Sequence, residues 1–218
     1  GPDTTIVSVM NGLDSEEIIG SVYGRERVLL CVALGMDALR AGDEVIVANI
    51  GKLRIGEESN NPVSARVRRV QHAFEKAGMP CEVPADMVRE MWWKFMVNVG
   101  VNQAAAVMRA PFGVFQTDTD ARAVMQALMQ EVIALAQNRG VCLGQDDLET
   151  WDSVLNALSP EGKPSMLQDI EAGRPTEVDV FAAKVVALGK SCAIPTPVNE
   201  AVLHVIRTLE KHPLPLHR

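Results

Sequence analysis

The chain has 218 residues, 47% hydrophobic and 22% charged, the composition of an ordinary globular protein large enough for one big domain or two small ones. A formal charge of -7 and an isoelectric point near 5.2 argue against nucleic acid or an anionic membrane as the main partner, since both select a basic surface. No apolar run approaches the roughly 20 residues that span a bilayer and nothing at the start reads as a signal peptide, so the expected setting is the cytoplasm.

Taken in order, Thr5 to Met10 is β-branched and apolar, the pattern of a buried strand, and it opens the chain almost without lead-in. Ser15 to Ile19 begins a short helix with Asp14 or Ser15 as its cap. "RVLLCVAL" (27–34) and "EVIVA" (44–48) read as strands on either side of a turn at Ala41-Gly42-Asp43, and "GKLRIGE" (51–57) reads as another. Asn61-Pro62 opens a helix to about Lys76 that Gly78 and Pro80 end, and "PCEVP" is a last strand. Arg66, Arg68 and Arg69, the one basic cluster, fall on that helix and read as a solvated face.

From Asp86 the character changes. Asp86 to Met108 is apolar almost all round, the pattern of a central buried helix. Thr119 to Arg139, Asp146 to Leu158, Glu177 to Cys192 and Pro197 to Leu209 read as further helices, and no β-rich run interrupts them. The expected division is an α/β portion over 1–85 and an all-helical domain over 86–218. Cys31, Cys81, Cys142 and Cys192 form no CxxC pair and read as reduced, mostly buried thiols. His72, His204, His212 and His217 are dispersed, so no metal site is expected.

Within the long helix, "MWWKFMVNVGVNQAA" (91–105) keeps Lys94, Asn98 and Asn102 at a spacing of four. Residues four apart share a helix face, so these three form a polar stripe about 12 Å long. A solvated stripe and a ligand-lining stripe are evenly poised on spacing alone. Asparagine is a mediocre helix former with little to gain on an exposed turn, and a buried amide needs a partner. A second polar cluster, "SMLQDIEAGRPTEVD" (165–179), sets Ser165, Asp169, Arg174, Thr176, Glu177 and Asp179 around a bend at Gly173 and Pro175. Taken singly these are a cap, a first-turn acid and an ion pair; their density in a loop between helices marks the edge of a site. A third feature is Asn11-Gly12 after the first strand, either a common turn or a residue placed where open α/β sheets bind ligands.

In this order, Asn-Gly after a strand, W-x-K-x-x-x-N-x-x-x-N and S-M-x-x-D-x-x-x-G-R-x-T-E-x-D resemble the 2-dehydropantoate 2-reductase (ketopantoate reductase) family over essentially the whole chain. The resemblance implies NADPH-dependent reduction of 2-dehydropantoate to pantoate, on the route to pantothenate and coenzyme A. It implies Lys94 as the proton donor to the carbonyl oxygen, with Glu177 contacting the substrate hydroxyl and helping to keep the lysine charged. Asn98, Asn102 and Ser165 match substrate-binding positions. Asn11 matches a residue that orients the cofactor near the nicotinamide, and Glu177 borders it as well. Asp169 and Arg174 belong to the motif in structural roles.

The family also begins with a G-x-G-x-x-[GA] turn, which this sequence lacks. The implied architecture is therefore an α/β remnant of a Rossmann-type domain followed by an all-α C-terminal domain, a truncated chain expected to bind NADPH weakly. The apolar surface that truncation would leave favours a homodimer. Phe112 stands where some members carry a substrate-side asparagine, and Gly162 offers no amide upstream of Ser165; another 2-oxo acid is the alternative substrate. A non-catalytic helical module for dimerisation or partner binding is the rival from a different class.

Overall fold

The computed structural model describes residues 1 and 3–212, with the backbone alone at 37–41 and 48; His217 lies outside the described residues. The chain forms two compact units, Gly1 to Trp92 and Trp93 onward.

In the first unit, β1 (Ile6–Val7), β2 (Val28–Leu34), β5 (Lys52–Gly56) and β6 (Cys81–Glu82) form one sheet in the order β1-β2-β5-β6. β1 pairs parallel with β2, β2 antiparallel with β5, and β5 parallel with β6. The apolar run in β2 serves both faces of this sheet. Leu29 and Cys31 pack with Leu53, Ile55 and Val67 on one side, while Leu30 and Val32 pack with Met87 and Met91 on the other. A strand covered on both faces has no polar face to show, so it reads as a continuous hydrophobic run. Flanking the sheet elements in sequence are helix α1 (Ser15–Tyr23) and helix α2 (Ala65–Lys76).

Three expectations shift here. The first strand pairs only at Ile6 and Val7, because the Ser8 hydroxyl donates to Ser15 Oγ at 2.8 Å and accepts from the Met10 N–H at 3.4 Å, turning the chain off the ladder. α2 begins at Ala65 rather than Pro62, where Ser64 Oγ accepts from the Val67 N–H at 3.2 Å as an N-cap. The run before the Gly42 turn is itself a strand, β3 (Asp37–Ala41), paired in a separate hairpin with β4 (Glu44–Asn49). Gly42 closes that hairpin with φ 63°, a region glycine enters without steric cost. On α2, Arg68 and Arg69 are exposed, and Arg66 forms an ion pair with Glu57.

The second unit shows no strand among its described residues. Helix α3 (Met87–Val97) carries the chain across the division between the units, then widens into a π-helical segment, Asn98–Asn102, and resumes as α4 (Gln103–Met108). α5 (Phe112–Thr117), α6 (Thr119–Asn138), α7 (Gln145–Ala157) and α8 (Ser165–Glu171) follow. A second π segment, Asp179–Ala183, leads into α9 (Lys184–Cys192), and α10 (Pro197–Lys211) closes the unit. Phe95, Met96, Phe115, Met125, Leu128, Met129, Leu135, Leu155 and Phe181 are fully buried and form the core. Asp118 starts α6 by accepting from the N–H groups of Asp120 and Ala121, both at 2.9 Å. α5 has no sequence signal of its own; Gln116 ties it down by donating to the carbonyls of Leu155 at 2.8 Å and Leu158 at 2.9 Å.

All four cysteines are free, and burial holds for only two of them: Cys31 and Cys81 are interior, Cys142 is exposed and Cys192 half-buried. Among the described residues no helix is long and apolar enough to cross a membrane, and no group of three or more His, Cys, Asp or Glu side chains is placed to hold a metal ion.

Candidate active site

The stripe on the long helix points inward. Asn98 is 4% and Asn102 6% exposed, so both amides need partners inside the protein. An unmet buried polar group costs about 1–3 kcal/mol. Asn102 Nδ2 donates to Asn98 Oδ1 at 3.3 Å, and Asn102 Oδ1 accepts from Ser165 Oγ at 3.2 Å and from the Met166 N–H at 3.4 Å. The first turn of α8 thus docks on Asn102, giving a ladder Asn98–Asn102–Ser165 with the serine at its exposed end. The ladder runs through a π segment, a feature concentrated at functional sites. Gly100 lets α6 come close there: a Cβ at this position would lie 2.4 Å from Met129 Cε.

One turn before Asn98 is Lys94, partly accessible at the surface. Burial pushes its ammonium below the usual lysine range, and the Glu177 carboxylate opposes that shift. The two side chains are therefore electrostatically coupled. Several contacts fix the backbone beside Glu177. Thr176 donates its N–H and its hydroxyl to Glu210 Oε1, both at 2.7 Å, and its oxygen accepts from the Val178 N–H at 3.2 Å. The Glu177 carbonyl accepts from the N–H groups of Val180 at 2.9 Å and Phe181 at 3.0 Å. Phe181 in turn meets Phe95, the neighbour of Lys94, with ring centroids 6.4 Å apart and planes tilted 50°. Arg174 binds Asp169 at 2.8 Å and holds the preceding bend.

The structure thus couples Lys94 to Glu177 and joins Asn98, Asn102 and Ser165, all in the second unit. Asn11 belongs to the first unit, half-buried in the bend between β1 and α1 and next to Gly12 at φ 96°. The residues present fit a dinucleotide only in part. Asn11 offers a side-chain amide past the end of a strand. The N-terminus of α1, by contrast, carries Asp14, Glu16 and Glu17, charges of the wrong sign for a pyrophosphate.

Two features escape sequence reasoning. The first is a buried amide chain through Gln103, Asn199 and Glu131, whose only trace in the sequence is polar residues set among apolar helix positions. The second is direct contact between the two departures from the family motif: the Phe112 N–H donates to the Gly162 carbonyl at 2.9 Å. A Cβ on Gly162 would lie 2.9 Å from the Phe112 ring.

Comparison with known proteins places this geometry in context. The family described as "Ketopantoate reductase PanE/ApbA C terminal" matches residues 86–210. The 2-dehydropantoate 2-reductase of Mesorhizobium japonicum is 29% identical over 202 residues, which is 92% of this chain and 60% of that relative. The chain therefore spans under two thirds of that relative's length. The crystal structure of 2-dehydropantoate 2-reductase from Methylococcus capsulatus superposes with a TM-score of 0.84 at 27% identity, covering 100% of this chain and 69% of that one. A ternary structure of D-mandelate dehydrogenase with NADH and anilino(oxo)acetate shares the fold with a TM-score of 0.88 at 18% identity, covering 97% of this chain and 69% of that one.

Proposed function

The chain belongs to the ketopantoate reductase family, and from that premise we propose that it is the catalytic part of an oxidoreductase that reduces the keto group of a 2-oxo acid, 2-dehydropantoate to pantoate, with NADPH as reductant. Residues 86–218 are the substrate and catalytic domain in this reading, and residues 1–85 the C-terminal part of the NADP-binding α/β domain. The observation that carries it is the ladder Asn98–Asn102–Ser165, which starts one turn after Lys94 on the long helix, with the Glu177 charge acting on that lysine.

NADPH, when bound, supplies the hydride that goes to the keto carbon. Lys94 gives its proton to the carbonyl oxygen as negative charge builds there, acting as general acid and as electrostatic stabiliser. Burial lowers the Lys94 pKa, which makes the ammonium a stronger acid than a surface lysine. The Glu177 charge works the other way and keeps the lysine protonated before the reaction. Asn98, Asn102 and Ser165 hold the 2-oxo acid by hydrogen bonds, with the Ser165 hydroxyl, at the exposed end, exchanging its bond to Asn102 for one to the ligand. Glu177 is a cofactor contact in this reading, and Asn11 is the cofactor contact that the resemblance assigns to the first unit. A homodimer is part of the reading, and light scattering on the purified chain tests it; a monomer at all concentrations contradicts it.

The Phe112–Gly162 contact favours a second reading of the substrate. By the resemblance Phe112 stands where some members carry a substrate-side asparagine, and a ring in place of that amide suits a more apolar 2-oxo acid. Steady-state loss of NADPH absorbance with 2-dehydropantoate and with phenylglyoxylate separates the two. A higher kcat/KM for 2-dehydropantoate supports the first reading and the reverse order supports the second. Turnover of neither acid with NADPH bound contradicts both.

A further inference from the structure

Besides the ladder, the π segment is held by a chain of polar groups, Gln103, Asn199 and Glu131. In an α-helix the N–H of Gln103 would serve the carbonyl of Val99; here it donates to Gly100. The Gln103 side chain takes over, its Nε2 donating to the Val99 carbonyl at 2.9 Å and to Asn199 Oδ1 at 3.0 Å. Both side chains are fully buried. Asn199, in the first turn of α10, donates from Nδ2 to Glu131 Oε2 at 2.7 Å and to the Leu128 carbonyl at 3.3 Å. The Glu131 carboxylate also accepts the N–H groups of Val198 at 2.8 Å and Asn199 at 3.0 Å, a charge of the favourable sign at a helix N-terminus.

The polarity of this chain is forced. A carboxylate and a carbonyl only accept, so Asn199 must turn its NH2 to α6 and its oxygen to Gln103. Gln103 must then present its NH2 to Asn199, which leaves the same group aimed at the Val99 carbonyl. Gln103 Oε1 remains buried with no partner among the described residues. An unmet acceptor in the core is a cost, tolerated here where the amide protons fix the one irregular turn of the central helix.

We propose that Glu131, Asn199 and Gln103 are positioning residues: together they set the backbone of the π segment and so place Asn98 and Asn102 for the 2-oxo acid. The claim rests on the reading of the ladder as the substrate site. The test uses this chain with Gln103→Met and Asn199→Leu, near-isosteric changes, and Glu131→Gln, which keeps one acceptor and serves if the others fail to fold. Three quantities are read: amide hydrogen exchange at residues 99–104 against α7, the side-chain amide resonances of Asn98 and Asn102, and the Kd for pantoate.

Loss of the two hydrogen bonds that Gln103 Nε2 donates, or of those made by the Asn199 amide, should speed exchange at 99–104 and weaken pantoate binding by about tenfold or more each. The two asparagine resonances should move, with exchange in α7 and NADP⁺ affinity unchanged. Unchanged exchange at 99–104 and fixed asparagine resonances overturn the proposal, as does equal acceleration in α7. If the unmutated chain binds no pantoate, the substrate reading fails, and exchange with the asparagine resonances still decides the positioning role.

Discussion

Replacing Gly100 with alanine puts a methyl group into the tightest approach along the π segment. The new Cβ would lie 2.4 Å from both Cγ and Cε of Met129 and 3.1 Å from the backbone oxygen of Met125. The thioether tip can swing aside; the Cγ is less free, and the carbonyl belongs to α6 itself. Overpacking of this kind costs about 1–3 kcal/mol, against a gain of at most about 1 kcal/mol from removing a helical glycine. The expected net loss is up to about 2 kcal/mol, which for a chain of this size lowers Tm by up to roughly 8 °C. Circular-dichroism melts with a urea series measure it. A double-mutant cycle with Met129→Ala isolates the contact, because the second change removes the atoms that clash. Met129→Ala alone should cost about 2–5 kcal/mol, and the pair should do better than the sum by about 1 kcal/mol or more. A Gly100→Ala chain more stable than the parent, or a strictly additive cycle, refutes the close approach of α6 to this turn.

Burial lowers the Lys94 pKa and Glu177 opposes it, so the basic limb of kcat/KM should fall below the ordinary lysine range. Glu177→Gln should move that limb to still lower pH, and a limb that stays or rises contradicts the coupling. Burial also raises the Glu16 carboxyl, so the unfolded chain releases that proton at lower pH than the folded one. Stability should then fall as pH rises from the ordinary carboxyl pKa through the raised one. Glu16→Gln should lack this loss, gaining on the parent across that interval in urea titrations at several pH values; parallel curves would count against it. Burial pushes the Cys31 thiol up to about 12 and Cys81 to about 11, while Cys142 is exposed. A maleimide at neutral pH should label Cys142 first and reach Cys31 and Cys81 only in denaturant, as mass spectrometry of the peptides would show. Early labelling of Cys31 would mean that the sheet core opens.

Much of this was legible in the sequence where pattern and packing agree. The strand at Val28–Leu34 and helix α6 show because their apolar residues follow the period of the element and their ends carry turns or caps. The strand at Asp37–Ala41 did not show, since its formation depends on pairing across the Gly42 turn and not on β-branched content. Helix α5 was hidden for a related reason: six residues opened by Pro111 hold their shape through Gln116 and its distant carbonyl partners.

At the candidate site, the four-residue spacing of Lys94, Asn98 and Asn102 shows which residues share a face but not which way the face points; burial of the two asparagines decides that. The π turn is invisible to a periodicity of about 3.6 residues, and it changes which backbone groups need side-chain partners. That is why Gln103 and Asn199 could not be singled out beforehand.

The central claim is that Lys94 gives the proton when a 2-oxo acid is reduced, and its most direct measurement is kcat/KM for 2-dehydropantoate with NADPH in the parent protein and in Lys94→Ala. Removing a general acid should lower the value by about 10²–10⁴-fold, with the fold unchanged by circular dichroism. A variant that keeps its activity to within about threefold, against the scale expected for a general acid, would contradict the assignment of Lys94 and the reading of the site built on it.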